Sequence, residues 1–162
     1  MGKVYVIMGV CGCGKTTVGE GLAAATDGVF VEGDSFHSSE NVEKMRSGTP
    51  LDDTDRQGWL ETLAEVIREY AGQPGWCFVG CSALKSRDRE ILRRGDPDLG
   101  FIYLHGEEPV LRARMEARQG HYMPAGLLDS QLATLEVPTN AVRVSIDQSP
   151  EMIVQEVLNN LT

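Results

Sequence analysis

Residues Gly9-Val10-Cys11-Gly12-Cys13-Gly14-Lys15-Thr16 satisfy the pattern G-x-x-x-x-G-K-[ST] at every fixed position, and they follow directly on the strand-like run Val4-Tyr5-Val6-Ile7-Met8. The glycines at 9, 12 and 14 let successive backbone N–H groups form a concave cradle for a β-phosphate at the positive end of a helix. Lys15 then reaches the β- and γ-phosphates, and Thr16 places its hydroxyl on Mg²⁺. The alternative is a glycine-rich turn ahead of a helix, but chance gives the full pattern in well under roughly one chain in a hundred of this length. The chain reads as a nucleotide-binding protein.

The other strand-like runs are Val29 to Glu32, Cys77 to Cys81, Phe101 to Leu104 and Val142 to Ile146, with helical patterns between nearly all of them. Such alternation predicts an α/β domain: a five-stranded parallel sheet with helices on both faces. A first helix is expected from Lys15 to about Thr26, and a second after Ser39, ending near Gly48. A third starts around Asp52-Asp53-Thr54, where carboxylates and a hydroxyl suit an N-cap, and its stripe Trp59, Leu60, Leu63, Val66, Ile67 is core. Another spans Glu107 to Arg118, and a last one follows Ser149-Pro150-Glu151. Two segments have no structural excuse, Gly33 to Leu51 and Gln119 to Gly126, and both are candidate substrate-closing flaps.

At 162 residues the chain suits one compact domain, and 41% hydrophobic with 24% charged residues is ordinary for a soluble protein. No apolar run is long enough to span a bilayer, and the run from Val4 leads into the phosphate loop rather than to a signal cleavage site, so a cytoplasmic location is expected. A net charge of −9 argues against a nucleic-acid partner, while a small anionic substrate is compatible with a local focus of cations. Cys11, Cys13, Cys77 and Cys81 contain no CxxC pair, and two of them sit in the loop, so they read as reduced, packed or semi-exposed thiols rather than zinc ligands.

Strand carboxyl ends in an open parallel sheet face the ligand crevice. Asp34, just past the second strand, is therefore placed to accept the proton of an attacking hydroxyl or to orient it, and Glu32 to hold a water of the Mg²⁺ shell. Gly-Asp-Ser is also ordinary turn chemistry. Lys85, Arg87 and Arg89 follow the third strand, and Arg56 follows an acidic cluster; each is either a substrate-facing cation or a solvated or ion-paired charge. Arg114 and Arg118 share a helical face, fit to reach phosphate oxygens or stack on adenine, or to be an exposed pair.

Together, Gly9 to Thr16, Gly33-Asp34-Ser35-Phe36-His37, Asn41 to Met45, Gly48-Thr49-Pro50-Leu51, Asp55-Arg56, Trp59-Leu60, Cys81-Ser82-Ala83-Leu84-Lys85, Phe101 to Leu104 and Arg118-Gln119-Gly120-His121 resemble the ordered motifs of the gluconate kinases. The resemblance runs from the phosphate loop to Leu135-Glu136. It departs at Tyr122-Met123-Pro124 and at Arg87-Asp88-Arg89, where an aromatic commonly precedes the arginine. It implies a P-loop kinase fold with a small lid at about 119–126, ATP and Mg²⁺ as cofactors, phosphorylation of D-gluconate on its 6-hydroxyl, and a homodimer. Carried over by position, Lys15, Asp34 and Arg118 are catalytic. Gly9 through Thr17 (with Val10, Cys11 and Cys13), Arg114, Arg118 and Gln148 contact ATP. Asp34, His37, Arg56, Lys85, Arg89 and His121 contact the sugar acid, and Thr16 and Glu32 serve the metal. The nearest rival is a small-molecule kinase for shikimate or a nucleotide. A regulatory nucleotide switch is opposed because Asp55-Arg56-Gln57-Gly58 opens a helix and no N-K-x-D motif exists.

Overall fold

The computed structural model describes residues 2–49, 51–117 and 126–161. Strand β1 (Lys3–Met8) runs through the glycine-rich loop into helix α1 (Lys15–Thr26). Next come β2 (Val29–Glu32), a short 3-10 helix (Gly33–Phe36), α2 (Ser39–Arg46) and α3 (Asp53–Ala71). Then follow β3 (Trp76–Gly80), α4 (Ser86–Arg93), β4 (Gly100–His105), α5 (Glu108–Ala117), α6 (Gly126–Thr134), β5 (Val142–Ser145) and α7 (Pro150–Asn160).

The five strands lie in the order β2-β3-β1-β4-β5, and every neighbouring pair is parallel. Parallel neighbours need long crossovers, which the helices provide. β1 is central, with Val6 opposite Val79 of β3 and opposite Phe101 of β4. Its two flanking crossovers diverge, so a crevice opens at its carboxyl end, where the phosphate loop begins.

Alternation along β1 divides the core. Val4, Val6 and Met8 pack with Leu60, Leu63 and Ile67 of α3, while Ile7 packs with Leu22 of α1 and with Ile153 and Val157 of α7. Both faces are covered, as a parallel sheet requires.

Helix ends follow local chemistry. The Ser38 hydroxyl caps α2, Asp52 and Asp55 form a reciprocal capping box on α3, and Ser149 caps α7 with proline in its first turn. α1 differs: it begins at Gly14, held at φ +92°, with no side chain on its first N–H groups.

The five strands appear where the alternation places them, and Asp55 to Gly58 lies in the first turns of α3. The Gly33 to Leu51 stretch, read as a candidate flap, holds the 3-10 helix and α2, the helix expected after Ser39. The expected lid lies outside the described residues except for Gly126, which opens α6, a helix the sequence reading did not anticipate. All four cysteines are buried and none is disulfide-bonded, and burial pushes the Cys77 thiol up to about 12.

Gly33 tests how tightly the acceptor side is joined to the sheet. A Cβ there would stand 2.1 Å from the Gly80 carbonyl oxygen, a backbone atom that cannot rotate away. Gly33→Ala is expected to lose roughly 1–3 kcal/mol in urea unfolding; a wild-type midpoint would contradict this packing.

Candidate active site

The phosphate loop joins the rest of the protein through its own polar groups. Lys15 Nζ donates to the carbonyls of Gly9 (3.0 Å) and Val10 (3.2 Å). The Thr16 hydroxyl donates to Glu32 Oε2 at 2.5 Å, and the Cys11 N–H donates to Gln131 Oε1 at 2.7 Å. The Gly9 N–H donates to the Ser82 carbonyl at 3.2 Å, which fixes the loop to the segment after β3. Burial acts to lower the pKa of Lys15, but the nearby thiols and the Asp34 carboxylate outweigh it, so the net shift is upward. The ammonium stays charged.

One cleft beside the loop is lined by Lys15, Asp34, His37, Arg56, Ser82 and Gln131, among others. Asp34 sits in the 3-10 helix with its carboxylate 42% exposed, and His37 Nε2 lies 3.7 Å from it. The imidazole stacks on Trp59 with ring centroids 3.9 Å apart. Trp59 in turn donates its indole N–H to the Gly33 carbonyl at 2.8 Å. Buried Asn41 lies 3.3 Å from His37 Nδ1 and donates to the Asp55 carbonyl at 2.9 Å. With Nδ1 accepting from the Asn41 amide, the His37 proton sits on Nε2, toward Asp34. Burial lowers the His37 pKa from 6.5 to about 4, so the ring is neutral near pH 7. One aromatic pair and one buried amide thus fix the backbone that presents Asp34.

The cations separate. Arg56 lines the cleft; its guanidinium donates to the Leu51 carbonyl at 2.6 Å and pairs with Asp53. Its Nε lies 3.7 Å from the buried carboxylate of Asp88, and neither atom has a hydrogen-bond partner. Lys85 is not among the lining residues, since its ammonium is bound to Asp53 at 2.9 Å, a hydrogen bond that holds Asp53 below the usual carboxylate range.

Arg89 does not line this cleft. It is buried, and its two terminal nitrogens donate to the carbonyls of Ala83 (2.6 Å) and Glu136 (2.9 Å). It therefore braces the backbone at Ala83, which adopts φ +47° between the cleft-lining Ser82 and Leu84. The spacing after β3 suggested a substrate cation because it cannot reveal that two carbonyls already use the guanidinium.

A second cavity lies on the other side of the loop, lined by Gly12, Cys13, Gly14, Thr17, Arg114 and Pro150, among others. Arg114 is held there by donating to the Ile146 carbonyl at 2.8 Å. The Gln148 amide donates to the Ser145 carbonyl at 2.9 Å and to Glu156 Oε1 at 3.1 Å. Arg118 and His121 lie outside the described residues. Gln131, Ser130 and Thr134 of α6 line the acceptor cleft and were missed. The spacing of Leu127, Leu128 and Leu132 was the available signal for that helix.

The AAA domain family matches residues 4–138. The chain is 43% identical to the gluconokinase of Gluconobacter oxydans (strain 621H), an alignment covering 98% of this chain and 90% of that one. Among solved structures, a sugar kinase from Janibacter sp. HTCC2649 superposes with a TM-score of 0.93 at 42% identity, covering 98% of this chain and 94% of that one. A gluconokinase from Sinorhizobium meliloti 1021 superposes with a TM-score of 0.87 at 44% identity, covering 97% and 90%.

His37 gives the site a pH signature. Its folded pKa lies below its unfolded one, so the unfolded chain takes up the proton first. The stability conferred by the neutral ring is complete above about pH 6.5 and lost as pH falls toward about 4. Urea unfolding should show a loss of roughly 3 kcal/mol from this group across that window. His37→Phe, which keeps a ring against Trp59, should lack that component, and an identical pH dependence in the two proteins would contradict the assignment.

Proposed function

The chain belongs to the gluconokinases, and from that membership we propose how its residues share the ATP-dependent phosphorylation of D-gluconate on the 6-hydroxyl, which yields 6-phospho-D-gluconate and ADP. The observation that carries the proposal is that Lys15, Asp34 and Arg56 line one cleft beside the phosphate loop. An acceptor carboxylate, a phosphate-reading cation and a second cation suit a substrate with a hydroxyl at one end and a carboxylate at the other.

ATP lies along the loop, its phosphates on the N–H groups at the start of α1 and its base on the side of Arg114. The 6-hydroxyl oxygen attacks the γ-phosphorus as the bond to the β–γ bridging oxygen breaks, and the hydroxyl proton passes to Asp34. Lys15 leaves the loop carbonyls to neutralise charge on the transferring group. Arg56 reads the gluconate carboxylate; of Arg56, Lys85 and Arg89, it is the one that lines the cleft. Lys85 shares Asp53 with Arg56 and so sets the angle of that guanidinium. Arg118 and His121 keep the lid roles that the resemblance gives them.

Thr16 and Glu32 fit Mg²⁺, because a hydroxyl and a carboxylate already in contact are oxygen donors of the kind it prefers. Among the described residues no group of three or more His, Cys, Asp or Glu gathers as a metal cage. The chemistry of Mg²⁺ is to draw charge from the β- and γ-phosphate oxygens. A cytoplasmic homodimer belongs to the same proposal. Among the described residues no helix is long and apolar enough to cross a membrane.

The two ends of the substrate can be tested separately in a coupled ATP-turnover assay. Asp34→Asn keeps the shape and removes the base, and is expected to lower kcat by about 100-fold or more while the gluconate KM moves less than about threefold. Arg56→Met is expected to raise the gluconate KM by roughly 10-fold or more with a smaller change in kcat. Glucose, which lacks the carboxylate, should be a poor substrate. Full turnover by Asp34→Asn, or glucose and shikimate used as well as gluconate, would refute this division of roles.

A further inference from the structure

Gln131 touches the phosphate loop although no motif marks it. Its side-chain carbonyl accepts the Cys11 N–H at 2.7 Å across 120 residues of sequence. Cys11 stands at the divide between the two cavities. With Lys15 it lines the one that holds Asp34 and Arg56, whereas Gly12, Gly14 and Thr17 line the one beside Arg114. A nucleotide whose base lies on the Arg114 side must bring its terminal phosphate to this divide, because the transferred group has to meet a hydroxyl held at Asp34. The N–H directed there is a natural donor to that phosphate, and Gln131 already occupies it.

We propose that Gln131 reads the transferable phosphate: its amide oxygen and a γ-phosphate oxygen compete for the Cys11 N–H, so that ATP displaces Gln131 and ADP leaves it in place. The exchange is favourable because an anionic acceptor forms a stronger hydrogen bond than a neutral amide. It is also local. The helix that carries Gln131 is tied near its start by the Arg112 to Asp129 ion pair at 2.5 Å. Just beyond its end, the Glu136 N–H donates to the Leu84 carbonyl at 2.7 Å. The side chain can therefore swing away while the helix stays.

The proposal rests on the nucleotide reading of the loop, and the experiment separates the two. Equilibrium binding of ADP and of a non-hydrolysable ATP analogue, each with Mg²⁺, is measured on wild type, Gln131→Ala and Gln131→Glu. Removing the competitor in Gln131→Ala is expected to tighten the ATP analogue by roughly 2- to 10-fold while ADP changes less than about twofold. The near-isosteric Gln131→Glu places a negative charge at the same point and should weaken the analogue by about 10-fold or more, with a smaller effect on ADP. A merely structural role would shift both nucleotides alike. Parallel shifts, or no shift in Gln131→Ala, would overturn the role of Gln131; failure of wild type to bind either nucleotide would overturn the loop reading instead.

Discussion

The bare N-terminus of α1 is the constraint that the rest of the molecule answers. Its first N–H groups carry no side-chain cap, and such groups are costly to leave without a partner away from water. The chain has 24 Asp and Glu residues against 15 Lys and Arg, yet α1 alone among the described α-helices has no acidic residue in its first turn. An acid there would compete with phosphate for the same positive terminus. Holding that terminus in place demands rigidity behind it. Val18 and Leu22 are buried in α1, and β1, the strand that feeds the loop, is flanked on both sides by parallel neighbours.

A second positioning problem lies opposite. An acceptor carboxylate must reach the cleft where the substrate hydroxyl is held. Here Asp34 stays half open on a short turn, and the turn itself is fastened by the Trp59 indole, the stacked His37 ring and the buried Asn41 amide. A neutral imidazole suits that place, because a permanent cation at 3.7 Å would make the carboxylate a weaker base. The aromatic contacts thus fix geometry without adding charge.

Most of the architecture was legible because it is written in local periodicities and end signals. β1 and the loop form one uninterrupted pattern, Asp52 and Ser149 stand where caps belong, and the α3 stripe repeats at helical spacing. The site was only half legible. Lys15, Thr16 and Asp34 are fixed by short-range motif and strand-end logic. Arg89, Lys85 and Gln131 are not, since their partners are Glu136, Asp53 and Cys11, lying 47, 32 and 120 residues away. Trp59 was read as core, which it is, but its indole N–H also fastens the acceptor turn, a second duty that apolar spacing does not reveal.

Ala83 carries a consequence for how this protein can change. A left-handed conformation at an alanine costs about 1–2 kcal/mol, and the residue sits between Ser82, which anchors the phosphate loop, and Leu84, which lines the acceptor cleft. Glycine would relieve the strain but would also loosen the chain there, both before and after folding. The two effects on stability oppose each other at this one backbone position. Arg89 donates to the Ala83 carbonyl and so holds the backbone at the point of strain, which makes its guanidinium a support for the loop anchor and the acceptor cleft alike.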